Sequence, residues 1–282
     1  MTQSRGSALR ASLLGCLALV AAVALPVAAG IAQDQRHDRQ AELPDQQPLV
    51  ERALAAVKPS DGGGRVRRLY FVGFAAFGHQ AVFKREVEEV RKLFDERFGT
   101  RERSLALINH PSTIHDVPLA TVENLAQVLA GLGKLMDSAN DTLFLFVTTH
   151  GLRSVLAVEM PFVGLDHLRP RSLKAMLDKS GIRNRVLVLS ACHAGSFIPA
   201  LADARTLVIA AARADRTSFG CDDKRPWTYF GDAYFNRALR AETSFRRAFV
   251  RARKEIRVWE RAAKLTPSLP QMKGGEALRL DE

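Results

Sequence analysis

Five short runs of nearly unbroken apolar residues constrain this chain more than any other feature: "RLYFVGFAA" (68–76), "SLALIN" (104–109), "TLFLFVTT" (142–149), "RVLVLSA" (185–191) and "TLVIAA" (206–211). Their cores do not alternate apolar with polar residues. A strand of that kind needs cover on both faces, which is the pattern of a parallel sheet between two helical layers. The intervening stretches supply the cover. Phe83, Val87, Val90 and Phe94 mark one face of a helix, Leu125, Val128, Leu132 and Leu135 mark a second, and a helical run spans Leu173 to Lys179. The expected fold class is α/β: a three-layer αβα sandwich with a mainly parallel central sheet. Such sheets carry their chemistry at the carboxyl ends of the strands.

Two of the five runs end in reactive side chains. "TLFLFVTTHG" leads straight into His150 and Gly151, and "RVLVLSACHAG" leads straight into Cys192. A cysteine closing an apolar strand is usually an inert core thiol, and a lone "HG" says less still. Together they are more specific. Neighbouring parallel strands would bring both to one sheet edge, where an imidazole takes the thiol proton and frees the sulfur to attack a carbonyl. On this reading Cys192 is the nucleophile and His150 its base. The Gly151 and Cys192 N–H groups are candidate oxyanion donors, and Gly195 lets the chain turn into a helix, "SFIPALA", whose N-terminus would add positive potential.

"FVTTHG" followed by "VLVLSACHAGSF" resembles the histidine and cysteine motifs of the caspase-like cysteine peptidases. The details resemble the legumain family, the asparaginyl endopeptidases and their relatives in the glycolipid-anchor transamidase. Three further stretches carry the narrower resemblance: "GHQA" (78–81) is similar to the family's "RHQA", "RTSFGC" (216–221) to "ESSYAC", and "DDKRPWTYFGDAYF" (222–235) to "DEKRSTYLGDWYS". The resemblance implies a caspase-like sandwich and a cysteine endopeptidase with His150, Cys192 and Gly151 in the roles already given. It further implies that His79, His193, Thr217, Ser218 and Asp232 line the pocket for the substrate side chain before the scissile bond. Three positions depart from the family pattern. Gly78 replaces the arginine of "RHQA", His193 stands where asparagine-cutting members have glutamate, and Ala76 occupies the place of an asparagine that assists the catalytic histidine. Asparagine preference is not expected from such a pocket.

Residues 1–32 place Arg5 and Arg10 before a mostly apolar run broken by Pro26, which is the pattern of a signal peptide or N-terminal membrane anchor. The polar stretch 33–64 reads as a spacer holding one short helix near Leu49 to Val57. The catalytic domain is expected over 65–240, with a basic amphipathic helix and tail over 241–282 packed on it. The expected location is therefore periplasmic or extracellular, with anchoring to the inner membrane as the alternative to cleavage. Only Cys192 and Cys221 remain beyond the leader, too few for a disulfide framework.

The net charge of +11 is concentrated. Arg237 to Lys264 holds ten Lys or Arg against Glu242, Glu255 and Glu260, with Phe245, Phe249, Ala252, Ile256 and Trp259 forming one stripe. An anionic membrane surface is the partner such a face would attract, beside the peptide or protein substrate. Nucleic acid is not expected, because the basic face lacks interleaved aromatic residues. No cofactor is expected, and His110, His115 and His167 show no metal-ligand spacing. Two alternatives share the framework: a transpeptidase or transamidase using the same thioester, and a catalytically weakened, envelope-associated binding module.

Overall fold

The computed structural model describes residues 43–61 and 67–279. The expected leader (1–32) and residues 33–42 and 62–64 of the expected spacer lie outside the described residues. The elements, in chain order, are α1 (Gln46–Ala55), β1 (Leu69–Ala75), α2 (Ala81–Arg97), β2 (Ser104–Ile108), α3 (Val122–Leu135), β3 (Thr142–Thr148), β4 (Gly151–Leu152), β5 (Val155–Leu156), α4 (Pro170–Lys179), β6 (Asn184–Ser190), β7 (Thr206–Ala210), α5 (Phe245–Ala262) and β8 (Gln271–Lys273). Several one-turn helices join them.

All five apolar runs are strands of one sheet, in the order β2-β1-β3-β6-β7-β8. The first five pair in parallel, and β8 adds antiparallel to β7. The chain runs outward from β1 to β2 and returns to the other side of β1 with β3. That reversal makes the carboxyl ends of β1 and β3 a topological switch point, where sheets of this class form their binding crevice.

Side chains divide strictly by face. Tyr70, Val72 and Phe74 of β1, Leu143, Leu145 and Val147 of β3, and Leu187 and Leu189 of β6 join α3 and α4 in one buried core. Phe71, Phe144, Phe146, Val186 and Val188 point the other way, onto α2, α5 and the segment 230–239. The second core is the aromatic one: Phe94 lies within 4.4–6.4 Å, ring centroid to centroid, of Phe71, Phe98, Phe144, Phe235 and Phe245. α2 packs tightly over Gly73, where a Cβ would lie 2.5 Å from Val87 Cγ1.

The short helix expected within 33–64 is α1, capped by the Asp45 carboxylate. Leu49 and Val50 are buried, and Leu54 lies over Gly131 of α3, so this part of the stretch is built into the domain. At the other end α5 buries Phe245, Ala248, Phe249, Ala252 and Ile256 and turns its arginines outward. Among the described residues no helix is long and apolar enough to cross a membrane.

Candidate active site

The register of β3 on β6 fixes the centre of the site. Thr148 pairs with Ser190 at the carboxyl ends of the two strands, so His150 and Cys192 each follow two residues beyond a paired position. The backbones stay in contact past that point. The Thr149 N–H donates to the Ser190 carbonyl at 3.2 Å, and a Cβ at Gly151 would lie 2.3 Å from the Cys192 carbonyl oxygen and 3.2 Å from Ala191 Cβ. Only glycine fits there.

Cys192 is half-buried. Its Sγ accepts the Ser218 N–H at 3.3 Å and faces the Ser218 carbonyl at 3.6 Å. Among the described residues no hydrogen bond joins Sγ to the His150 imidazole. This is the looser geometry common before substrate binds.

The turn after Cys192 is held by residues 212–216. His193 sits in the left-handed region (φ +56°), an uncommon conformation for a residue with a side chain. Its N–H donates to the Arg216 carbonyl at 2.8 Å and its ring Nδ1 donates to the Ala214 carbonyl at 3.1 Å. The Gly195 N–H donates to the Ala212 carbonyl, and a Cβ at Gly195 would meet Gln271 Oε1 at 2.4 Å. The helix expected from "SFIPALA" is reduced to a 3-10 turn, Ala194–Phe197, and one α-turn, Ile198–Leu201, because Ala202 is already extended. A helix this short contributes little macrodipole, so the expected positive potential on the sulfur is withdrawn.

His150 lies between the edges of Phe77 and Phe83, at 4.5 and 5.2 Å between centroids and nearly perpendicular to both. Burial among these rings holds its pKa below the ordinary histidine value, against a weaker opposite pull from Glu159. The ring Nε2 is 2.6 Å from Gln80 Oε1, and Gln80 Nε2 donates to the Cys221 carbonyl at 2.9 Å. Gln80 lies in the "GHQA" stretch, but no role for it was visible in the sequence. Its partners are 70 and 141 residues away along the chain.

The expected pocket residues are treated unevenly. His79 is exposed, with its ring 5.3 Å from that of Phe77, and Thr217 is exposed beside it in sequence to Ser218, whose backbone touches the sulfur. The His193 ring is turned onto Ala214. Asp232 is engaged by Asn236 Nδ2 at 2.7 Å and Arg237 Nε at 3.4 Å at the start of a π-helical segment, Asp232–Ala238.

Two further acids were not singled out as site residues. The Asp223 carboxylate accepts the Ala81 N–H at 2.7 Å and so caps α2. Glu86 is fully buried beneath the site, accepting the Thr148 hydroxyl at 2.6 Å and the Thr228 N–H at 2.7 Å. Burial raises its pKa above the usual carboxylate range. Cys221 is also enclosed, and burial pushes its thiol up to about 12, which leaves it unreactive at neutral pH. Among the described residues no cluster of three His, Cys, Asp or Glu is placed to hold a metal ion.

Comparison with known proteins adds three findings. The sequence pattern described as the Peptidase C13 family matches residues 119–277, more than half of the chain and inclusive of His150 and Cys192. No curated protein sequence matches. Among solved structures the chain is similar to the crystal structure of caspase-1 from Spodoptera frugiperda, with a TM-score of 0.52 and 15% identity over 74% of this chain and 86% of that one. At that identity the likeness is one of fold: a caspase-like αβα sandwich.

Proposed function

Since the chain belongs to the Peptidase C13 family, and is thus a cysteine-type peptidase acting on peptide or protein substrates, we propose that it is an exported endopeptidase with Cys192 as nucleophile and His150 as base. The observation that carries this reading is the β3–β6 register, which sets both residues at equal height past the same sheet edge with Gly151 against the Cys192 carbonyl. The thiol proton passes to His150 as sulfur bonds to the scissile carbonyl carbon. The carbon–nitrogen bond then breaks and the amine leaves with the proton held by the imidazolium. Water, deprotonated by His150, adds to the thioester; the carbon–sulfur bond breaks and the proton returns to sulfur. The Gly151 and Cys192 N–H groups receive the developing oxyanion, each contributing about 3 kcal/mol in comparable sites.

The substrate side chain before the scissile bond is received beside His79, Thr217 and Ser218. Asp232 and His193 take part through the loops they brace, since Asn236, Arg237 and the Ala214 carbonyl already engage them. Labelling by an electrophilic peptide probe tests the central claim: wild type labels, Cys192→Ala and His150→Ala do not. Full labelling of Cys192→Ala would sink it.

Export rests on the basic-then-apolar stretch before residue 33. The mature N-terminus recovered from fractionated cells decides between a cleaved leader and an anchor. The outward cations of α5 suit an anionic membrane surface, and flotation with vesicles containing or lacking an anionic phospholipid tests that contact.

A further inference from the structure

We propose that Gln80 is the positioning residue of the catalytic histidine, holding His150 in the tautomer that keeps its Nδ1 lone pair free to act as base. The inference rests on the peptidase reading above and gives the helper's role to Gln80, since Ala76 replaces the expected asparagine.

The chemistry of the partners fixes the orientation. A backbone carbonyl only accepts, so the Gln80 atom 2.9 Å from the Cys221 oxygen is the amide NH2. The other end of the amide is therefore the oxygen, which also only accepts, and it stands 2.6 Å from His150 Nε2. Nε2 must carry the hydrogen, and in the neutral ring Nδ1 is left with the lone pair. When Nδ1 takes the Cys192 proton, the Nε2–H remains on Gln80 Oε1 and that hydrogen bond becomes charge-assisted.

Local structure explains why Gln80 is available. It occupies the N-cap position of α2 yet makes no side-chain capping bond. Asp223 does that work by accepting the Ala81 N–H, while Arg85 Nη2 donates to the carbonyls of Asp223 and Arg225 at 2.9 and 2.8 Å. The segment 218–225 thus touches the Cys192 sulfur at one end, anchors Gln80 in its middle and caps α2 at the other. Phe77 and Phe83 pack edge-on against the ring, and neither side chain offers a competing donor or acceptor to the orientation set by Gln80.

The test uses the full-length protein with 15N-labelled histidine. In wild type above the histidine titration, the His150 ring should show a protonated Nε2 and an unprotonated Nδ1. In Gln80→Met, which keeps side-chain length and deletes both hydrogen bonds, the ring should populate both tautomers. The same variant should lose about 10–100-fold in kcat with KM changed less than about twofold, a part of what a general base contributes. Thermal unfolding reports whether the variant is folded. A merely structural glutamine would lower the unfolding temperature and leave the tautomer and kcat of the folded protein unchanged. A wild-type ring protonated on Nδ1, or a folded Gln80→Met with unaltered kcat, overturns the proposal. The ring spectrum decides the positioning role even if no peptide is turned over, so failure of the peptidase reading would be seen separately.

Discussion

Gly151 and Glu86 show how little latitude single residues have around this site. A methyl group at 151 would fall 2.3 Å from the Cys192 oxygen, so Gly151→Ala must part the ends of β3 and β6. Displacement of a reacting group by about 1 Å costs on the order of 100-fold in rate. We expect that loss in kcat/KM together with a lowered unfolding temperature; full activity would show that the strand ends need not touch. Glu86 acts below the site and on stability. A carboxyl whose folded pKa is raised above its unfolded value stabilises fully below the unfolded value and loses that contribution as pH rises through the folded one. Glu86→Gln keeps an acceptor for the Thr228 N–H and does not titrate. The wild-type unfolding temperature should therefore fall relative to that of Glu86→Gln between pH 5 and pH 8. Parallel curves would mean that the buried carboxyl is already ionised at pH 5.

At the level of elements, α2 depends on a cap supplied from the far side of the chain. Asp223→Ala removes the acceptor for the Ala81 N–H and should cost about 1 kcal/mol in urea unfolding. It should also slow peptide turnover, because the capping loop carries the Cys221 carbonyl that orients Gln80; a stability loss with unchanged kcat would separate the two roles. What was legible in the sequence follows the same division between near and far. All five parallel strands were marked by unbroken apolar runs, and the helices over 83–94, 125–135, 173–179 and 245–259 by the spacing of their apolar residues, both local signals of burial. The His150 and Cys192 strand ends were legible for the same reason. Gln80 was not, since its role is created by a carbonyl 141 residues away. The β4–β5 hairpin and β8 were too short, at two and three residues, to show any period. The turn of His193 toward Ala214 depends on which carbonyl the 213–216 loop presents, which no local pattern encodes.

Across the whole molecule the sheet is held by two unlike cores and finished by the chain's own tail. β8 hydrogen-bonds to β7, and the tail is pinned further by the Arg213 N–H on the Ser268 carbonyl, Arg246 on the Gly274 and Gly275 carbonyls, and Gly275 and Ala277 N–H groups on Asp203 and Ala204. A chain ending at Ala263 would keep every residue of the catalytic pair yet expose the Thr206–Ala210 edge. Unprotected edges of this kind template pairing with other chains. Such a truncation should scatter light increasingly with concentration at 37 °C while the full-length protein stays clear. The segment after α5 thus works as a seal on the sheet: a strand of only three residues keeps the β7 edge from other chains, and the solubility of the whole protein rests on it.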